Sequence, residues 1–404
     1  MADRSLGGTV LRFLTAGESH GPALTGILEG MPAGVPLAPA DLERDLARRQ
    51  HGYGSGGRMQ IERDQARITA GVMNGLTTGG PIALVIENRD WKHWAGRDIA
   101  PMTTPRPGHA DLTGALKYGY RDLRLALERA SARETAMRVA IGAVARRLLA
   151  EFEMVVGGYV IAIGAQEAQL ADDPPDYPAR FAAALASDVG CPDAAAAERM
   201  RSAIHQAKVD RDTLGGIIEV VALGLPPGLG SHVHYDRRLT GRLAGAVCSV
   251  PSVKGAEIGP AFANARRSGT QVHDRLTLDE DGRIRRGSNR SGGLEGGMTT
   301  GEPLVVRAAM KPISTTLTPL ESVNLATGAP APTEYERSDF CAVPRAVVIL
   351  EAMVAFVLAD ELLRKLGGDS LAELRPRFAA LRQARLDDLP MDDAPWRFGY
   401  DEWT

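Results

Sequence analysis

The chain has 404 residues, 44% hydrophobic and 24% charged, enough for two or three average domains or one large body with insertions. Its net charge of -3 argues against a general nucleic-acid binder, which needs spare basic residues to neutralise phosphates. Cys191, Cys248 and Cys341 lack paired zinc or redox spacing, and the N-terminus lacks an apolar signal core, so a reducing cytoplasm is the expectation.

Residues 9–15 predict a first strand, followed by a loop over 16–22 and a second apolar segment to Met31. Asp41 predicts the N-cap of a helix running through Arg49. The next loop formally satisfies G-x-G-x-x-G at Gly52, Gly54 and Gly57. A helix precedes it and an extended segment follows, the reverse of the dinucleotide-binding order, so that reading is rejected. Residues 82–86 predict a strand and residues 123–152 one long helix, buried on nearly all sides over 137–150. Residues 345–366 predict a second helix of that kind, interrupted by too many charges to span a membrane. Two helices this apolar need layers on both faces, which predicts helices enclosed between sheets. Residues 165–200, rich in Ala, Asp and Pro, predict a surface insertion. A strand at 217–221, a helix at 236–247 and a polar helical tail from about 367 complete the expected order.

Chemistry-bearing residues cluster in rigid, Gly-rich settings. His20 sits between Gly17 and Gly21 just after the first strand, where catalytic and structural roles are equally compatible. His109 lies in Arg106-Pro107-Gly108-His109, a turn able to hold an imidazole beside a guanidinium as a general acid requires. On a continuous helix Arg129 and Arg133 share a face, and they predict an anion there; surface pairing with Glu128 and Glu134 is the alternative. Gly292, Gly293, Gly296 and Gly297 lead through an apolar segment into Lys311-Pro312-Ile313-Ser314-Thr315. That turn suits a phosphate, although a plain hairpin with a polar exit also explains it. Ser338 and Asp339 read either as the N-cap of the last apolar helix or as part of a pocket with Arg337. No histidine spacing predicts a metal. The ingredients describe a pocket for a small polyanion, and by themselves they do not name a reaction.

The motifs AGESHGP, RRQ-x-GYG-x-GGRM, RPGHADL, ERASARETAMRVA, KG-x-E-x-G, GG-x-EGGMT-x-G-x-P, KPIST and ERSD follow one another almost end to end. In this series the chain closely resembles the chorismate synthase family. The resemblance implies an α+β fold, a β-α-β sandwich of long buried helices between two mainly antiparallel sheets, in a single domain assembled as a homotetramer. It implies a lyase that converts 5-enolpyruvylshikimate-3-phosphate to chorismate and phosphate by anti-1,4-elimination with reduced FMN, in aromatic amino-acid biosynthesis. By motif match His20 protonates the departing phosphate, His109 serves the reduced flavin, and Asp339 helps to remove the ring proton. Ser19, Arg49, Arg58, Arg106, Arg133 and Arg337 match substrate positions. Flavin contacts map to Arg129, Ala130, Ser131, Pro251, Ser252, Gly296, Lys311, Pro312, Ile313, Ser314, Thr315 and Arg337. Arg49 and Ser55 match positions linked to NADPH, but Ser55 replaces an arginine common in relatives, which weakens the case for nicotinamide binding here. NADPH or a separate flavin reductase then stands as the electron source. The rival readings are an NADPH-dependent flavin reductase and a non-enzymatic polyanion-binding protein.

Overall fold

The computed structural model describes residues 10–54, 64–170, 174–336, 338–395 and 399. A four-stranded antiparallel sheet, in the order β1-β2-β4-β3, contains β1 (Arg12–Ala16), β2 (Ala23–Glu29), β3 (Ala66–Ala70) and β4 (Ile82–Glu87). A five-stranded antiparallel sheet, in the order β8-β9-β7-β5-β6, contains β5 (Val155–Ile163), β6 (Gln166–Glu167), β7 (Gly216–Leu223), β8 (Val253–Ile258) and β9 (Leu304–Met310). Between them run α1 (Pro39–Gln50), α4 (Thr135–Ala150) and α8 (Val343–Leu366). Helix α4 packs on β1, β2 and β4, whereas α8 packs on β5 and β7, and the two helices pack on each other. This is the sandwich expected from two helices with no polar face. The remaining helices of more than one turn are α2 (Asp111–Tyr118), α3 (Arg124–Ala130), α5 (Tyr177–Ala186), α6 (Ala194–Val209), α7 (Leu239–Cys248) and α9 (Leu371–Ala379). No described helix is long and apolar enough to cross a membrane.

Close approach is built into the helix layer. A Cβ at Gly142 on α4 would lie 2.2 Å from Ala352 Cβ on α8, and one at Gly26 on β2 would lie 2.5 Å from Met137 Sδ. Small residues at these points let α4 sit against both a helix and a sheet. Charges inside the layer are paired. Glu351 accepts from Arg48 Nη1 at 2.6 Å and Arg146 Nη2 at 2.9 Å, and Asp45 accepts from Arg146 Nη1 at 3.0 Å. Asp360 caps the entering chain by accepting from the backbone N–H groups of Val10 and Leu11, and pairs with Arg242.

Several local expectations are corrected. The predicted helix over 123–152 is broken at Ser131, which is extended (φ -63°, ψ 142°) and accepts a hydrogen bond from Arg133 N–H. That side-chain bond offers the backbone an alternative to continuing the helix. Asp41 is not the N-cap of α1; Ala38 is, and Asp41 one turn on accepts from its N–H at 2.9 Å. Residues 165–200 are more than a surface insertion: α5 lays Tyr177 over Tyr159 and Val221 on the outer face of the larger sheet, and α6 sends Ala196 and Met200 into the main core. Helix α7 starts at Leu239, after a 3-10 turn.

Gly142→Ala is expected to destabilise the protein by about 1–3 kcal/mol through overpacking, because the new methyl meets backbone as well as side chain of α8. Denaturant unfolding measures this, and unchanged stability would mean that the two helices part without cost.

Candidate active site

A cleft of about 1160 Å³ opens where the ends of both sheets and of α1, α4 and α8 converge. Ser19 and His20 enter it from the β1–β2 loop, Arg49 from the end of α1, and Arg106 and His109 from the turn before α2. Arg129, Ala130, Ser131 and Arg133 enter from the α3–α4 break. Pro251 and Ser252 come from the α7–β8 turn, Lys311, Ile313, Ser314 and Thr315 from the exit of β9, and Asp339 and Arg345 from the approach to α8. Residues far apart in sequence therefore meet at one place.

Each histidine is held by a carboxylate. His20 Nδ1 lies 2.7 Å from Glu128 Oε1, and Glu128 Oε2 also accepts from the His20 backbone N–H at 2.8 Å. The His20 ring packs against Trp94 with centroids 4.1 Å apart and the planes tilted by 36°. Burial raises the Glu128 pKa, but its bonds to His20 outweigh this and leave it lowered. His109 Nδ1 lies 2.5 Å from Asp111 Oδ1, and Arg106 clasps the same carboxylate through Nε at 2.8 Å and Nη2 at 3.0 Å. Burial opposes ionisation of Asp111 as well, yet His109 and Arg106 hold its carboxyl well below the usual carboxylate range. Gly108, at φ +77°, allows the tight turn between them. In both pairs a carboxylate engages Nδ1 and fixes the orientation of the ring, and Arg106 Nη2 also lies 3.0 Å from His109 Nδ1 and 3.4 Å from its Nε2.

The arginines are only partly neutralised. Arg133 gives Nη1 to Asp64 at 2.5 Å and Nε to Asn88 Oδ1 at 2.8 Å, while its buried Nη2 has no partner among the described residues. Arg49 reaches Asp64 at 3.3 Å, Thr135 Oγ1 and the Ala132 carbonyl. Burial, with the nearby charges of Arg345 and Arg133, pushes the Arg49 pKa down to about 9 against the pull of Asp64. Arg345 pairs with Asp339 and donates to the Arg49 carbonyl at 3.0 Å. Among the described residues, three guanidiniums thus share two carboxylates, Asp64 and Asp339, in a largely buried corner suited to an anion.

Two of the expected flavin segments are joined by a backbone bond from Lys311 N–H to the Ser252 carbonyl at 2.9 Å, with Ser252 in the left-handed region at φ +68°. Lys311 Nζ donates to the Gly108 carbonyl at 2.9 Å, and Arg106 Nη1 to Thr315 Oγ1 at 3.1 Å. The phosphate-type turn and the His109 turn therefore form one wall. Gly296 stands apart: it lies in the hairpin turn near Met298 and His232 and does not line this cleft. Ser55, Arg58 and Arg337 lie outside the described residues.

The expectation that Arg129 and Arg133 share a helix face fails because of the break at Ser131. Arg129 donates to Thr15 while Arg133 turns to Asp64 and Asn88. The alternative surface pairing fails as well, since Glu128 serves His20 and Glu134 takes Arg138 and Thr15. The N-cap reading of Ser338 and Asp339 also falls: α8 begins at Val343 behind Ala342, without a side-chain cap. Sequence reasoning did not single out Asp64, Asn88 or Trp94, whose roles come from contacts across the chain. Glu128 and Asp111 stood inside noted motifs, and a carboxylate two residues beyond His109 was a usable signal.

Excess guanidinium beside two oriented imidazoles is the equipment of an enzyme that acts on a small polyanion. A family model for chorismate synthase matches residues 11–363. Chorismate synthase of Trichlorobacter lovleyi is 54% identical over 382 residues, covering 90% of this chain and 97% of its own. That of Symbiobacterium thermophilum is 54% identical over 385 residues, covering 91% and 97%. A crystal structure of chorismate synthase matches with a TM-score of 0.76 at 44% identity, over 91% of this chain and 96% of that one. The chain belongs to the chorismate synthase family, lyases of aromatic amino-acid biosynthesis.

Asp111→Asn leaves the buried Arg106 without its counter-charge and is expected to cost about 3–5 kcal/mol at neutral pH. Because the native carboxyl titrates below the unfolded value of about 3.9, its stabilisation is present above that pH and is lost as pH falls through the native value. The variant should therefore lack that part of the acid unfolding slope. An unchanged acid limb in pH-dependent denaturation would rule out this role.

Proposed function

We propose that the protein converts 5-enolpyruvylshikimate-3-phosphate to chorismate and phosphate by 1,4-elimination, with reduced FMN as cofactor. The observation that carries this reading is the pair of carboxylate-held imidazoles, His20 and His109, in one arginine-lined cleft. The substrate bears two carboxylates and a phosphate, and the unpartnered Arg133 Nη2 together with Arg49 and Arg106 supplies donors of matching charge. Arg58 and Arg337 are assigned to the same task from their motifs.

The cleft also fits the flavin. It is larger than a substrate-sized pocket needs, and the Lys311–Thr315 turn brings a cation and hydroxyls against the Pro251-Ser252 turn. Those turns, with Arg129, Ala130 and Ser131, would hold it; Gly296 could take part only from outside this cleft. Bound reduced FMN would supply electron density as the carbon–oxygen bond to phosphate breaks, with no net redox change.

His20 gives its Nε2 proton to the leaving phosphate, lowering the charge that builds up as the bond breaks. Its backbone and ring are both fixed by Glu128, and the contact with Trp94 limits ring rotation. His109, held by Asp111 and beside Arg106, would steady charge on the cofactor. Asp339, with Arg345 as partner, takes part in removing the ring proton, so that a carbon–carbon double bond forms as phosphate leaves. Arg49 faces Asp64 inside the protein, which favours a substrate role over a nicotinamide contact. We assign the enzyme to the cytoplasm as a homotetramer, with its flavin reduced by NADPH or by a separate reductase.

Anaerobic phosphate release, measured with reduced, oxidised and no FMN, tests the reading. Release with reduced FMN alone is the expected outcome; release in none of the three would overturn it, and rapid NADPH oxidation without substrate would favour a flavin reductase. His20→Ala and His109→Ala should fold normally yet lose on the order of 100-fold or more in turnover. Asp339→Asn should keep FMN binding and eliminate slowly. Wild-type rates in any of these variants remove that residue from the mechanism.

A further inference from the structure

Asn88 follows directly on β4 and is 4% exposed, behind the cleft wall rather than on it. Its side-chain Nδ2 donates to the carbonyls of Gly21 at 2.7 Å and Glu18 at 3.2 Å, with Ser19 O at 3.5 Å. Its Oδ1 accepts from Arg133 Nε at 2.8 Å, and its backbone N–H donates to the Pro22 carbonyl at 3.0 Å. The amide can face only one way. A guanidinium Nε has no acceptor, so Oδ1 must meet it and the NH₂ group must meet the carbonyls. Those carbonyls bracket His20 on both sides in the chain.

Arg133 lines the cleft, and its buried Nη2 has no partner among the described residues. A single amide thus connects the loop that carries the acid to the residue that holds the substrate's charge. Ser131 makes a parallel link, from its Oγ to Ser19 Oγ at 3.1 Å and from Arg133 N–H at 3.2 Å, but Ser131 itself lines the cleft. Asn88 does not, so whatever it contributes passes through His20 and Arg133. The loop over residues 17–21 lies between strands and has no sheet neighbour for its carbonyls. Gly17, at φ +115°, is so crowded that a Cβ would meet the Ala23 carbonyl at 2.5 Å. Within the loop the Glu18 carbonyl accepts from the Gly21 N–H at 3.3 Å, and the Asn88 amide adds a donor from outside the loop.

We propose that Asn88 is a positioning residue that fixes His20 relative to Arg133, making substrate anchoring and leaving-group protonation one geometric unit. The proposal rests on the reading of His20 as the acid for phosphate. Two substitutions separate its arms. In Asn88→Asp an oxygen replaces the NH₂ group and faces the loop carbonyls, which breaks the His20 arm, while the Arg133 arm gains a charge and survives. Asn88→Ala removes both.

The test is steady-state phosphate release with reduced FMN for wild type, N88D, N88A, H20A and the double variant H20A/N88D, each checked for its melting transition and FMN binding. N88D should lower kcat on the order of tenfold to hundredfold with KM close to wild type. N88A should lower kcat and raise KM together. The double variant should turn over at the rate of H20A alone, since Asn88 acts on kcat through His20. If N88A fails to fold, the near-isosteric N88D still carries the test. A kcat loss from N88D equally large with and without His20 would overturn the positioning role and leave His20 as the acid. Wild-type kinetics in N88D would overturn it too, whereas wild-type turnover in H20A would overturn the reading of His20 beneath it.

Discussion

The contact between Gly142 on α4 and Ala352 on α8 is the constraint on which the rest depends. It sets the thickness of the helix layer, and with it the separation of the two sheets. The cleft is built from the ends of these elements, so a helix spacing fixed by the absence of a side chain becomes a spacing between Arg133 and Arg345. A larger residue at position 142 would act on the site without touching it. This is how packing is converted into catalytic geometry here: the reacting groups sit on short loops and turns held at the ends of rigid, packed elements.

Buried charge distinguishes structure from function within one fold. The cluster of Arg48, Arg146, Asp45 and Glu351 is self-satisfied. Burial would raise Asp45, but three arginines bring it down, and Arg48 is pushed up by Glu351 despite burial. The cluster of Arg49, Arg133 and Arg345 with Asp64 and Asp339 has the opposite character, and Arg49 is pushed down. Both clusters are desolvated; among the described residues, the second is short of negative charge. A deficit of that kind is costly unless something arrives to fill it, and it lies where the cleft opens.

Local chemistry at Ser131 decides what the arginine-rich helix can do. A continuous helix would have put Arg129 and Arg133 side by side. The break lets Arg129 turn toward Thr15 and Arg133 toward Asp64, and places the Ser131 hydroxyl in the cleft between them. The hydroxyl that ends one helix also starts the next turn, because it accepts from Arg133 N–H. The same few atoms therefore give up helical continuity and gain three differently directed polar groups.

By itself the sequence determined the layer order and the residue types of the site. Helices with no polar face, such as residues 345–366, can be buried only between other layers, and that follows from composition along a short window. His20, His109, Arg106 and the Lys311–Thr315 turn were legible because Gly and Pro around them impose local geometry. What only the tertiary structure decided is which groups answer one another. Asp64 serves Arg133 and Arg49, Glu128 serves His20 from 108 positions away, and Asn88 spans the β1–β2 loop and the α3–α4 break. These are single polar contacts between distant segments, and neither hydrophobic period nor turn chemistry encodes them. They exist only once burial has removed water and left each donor to find its acceptor inside the protein.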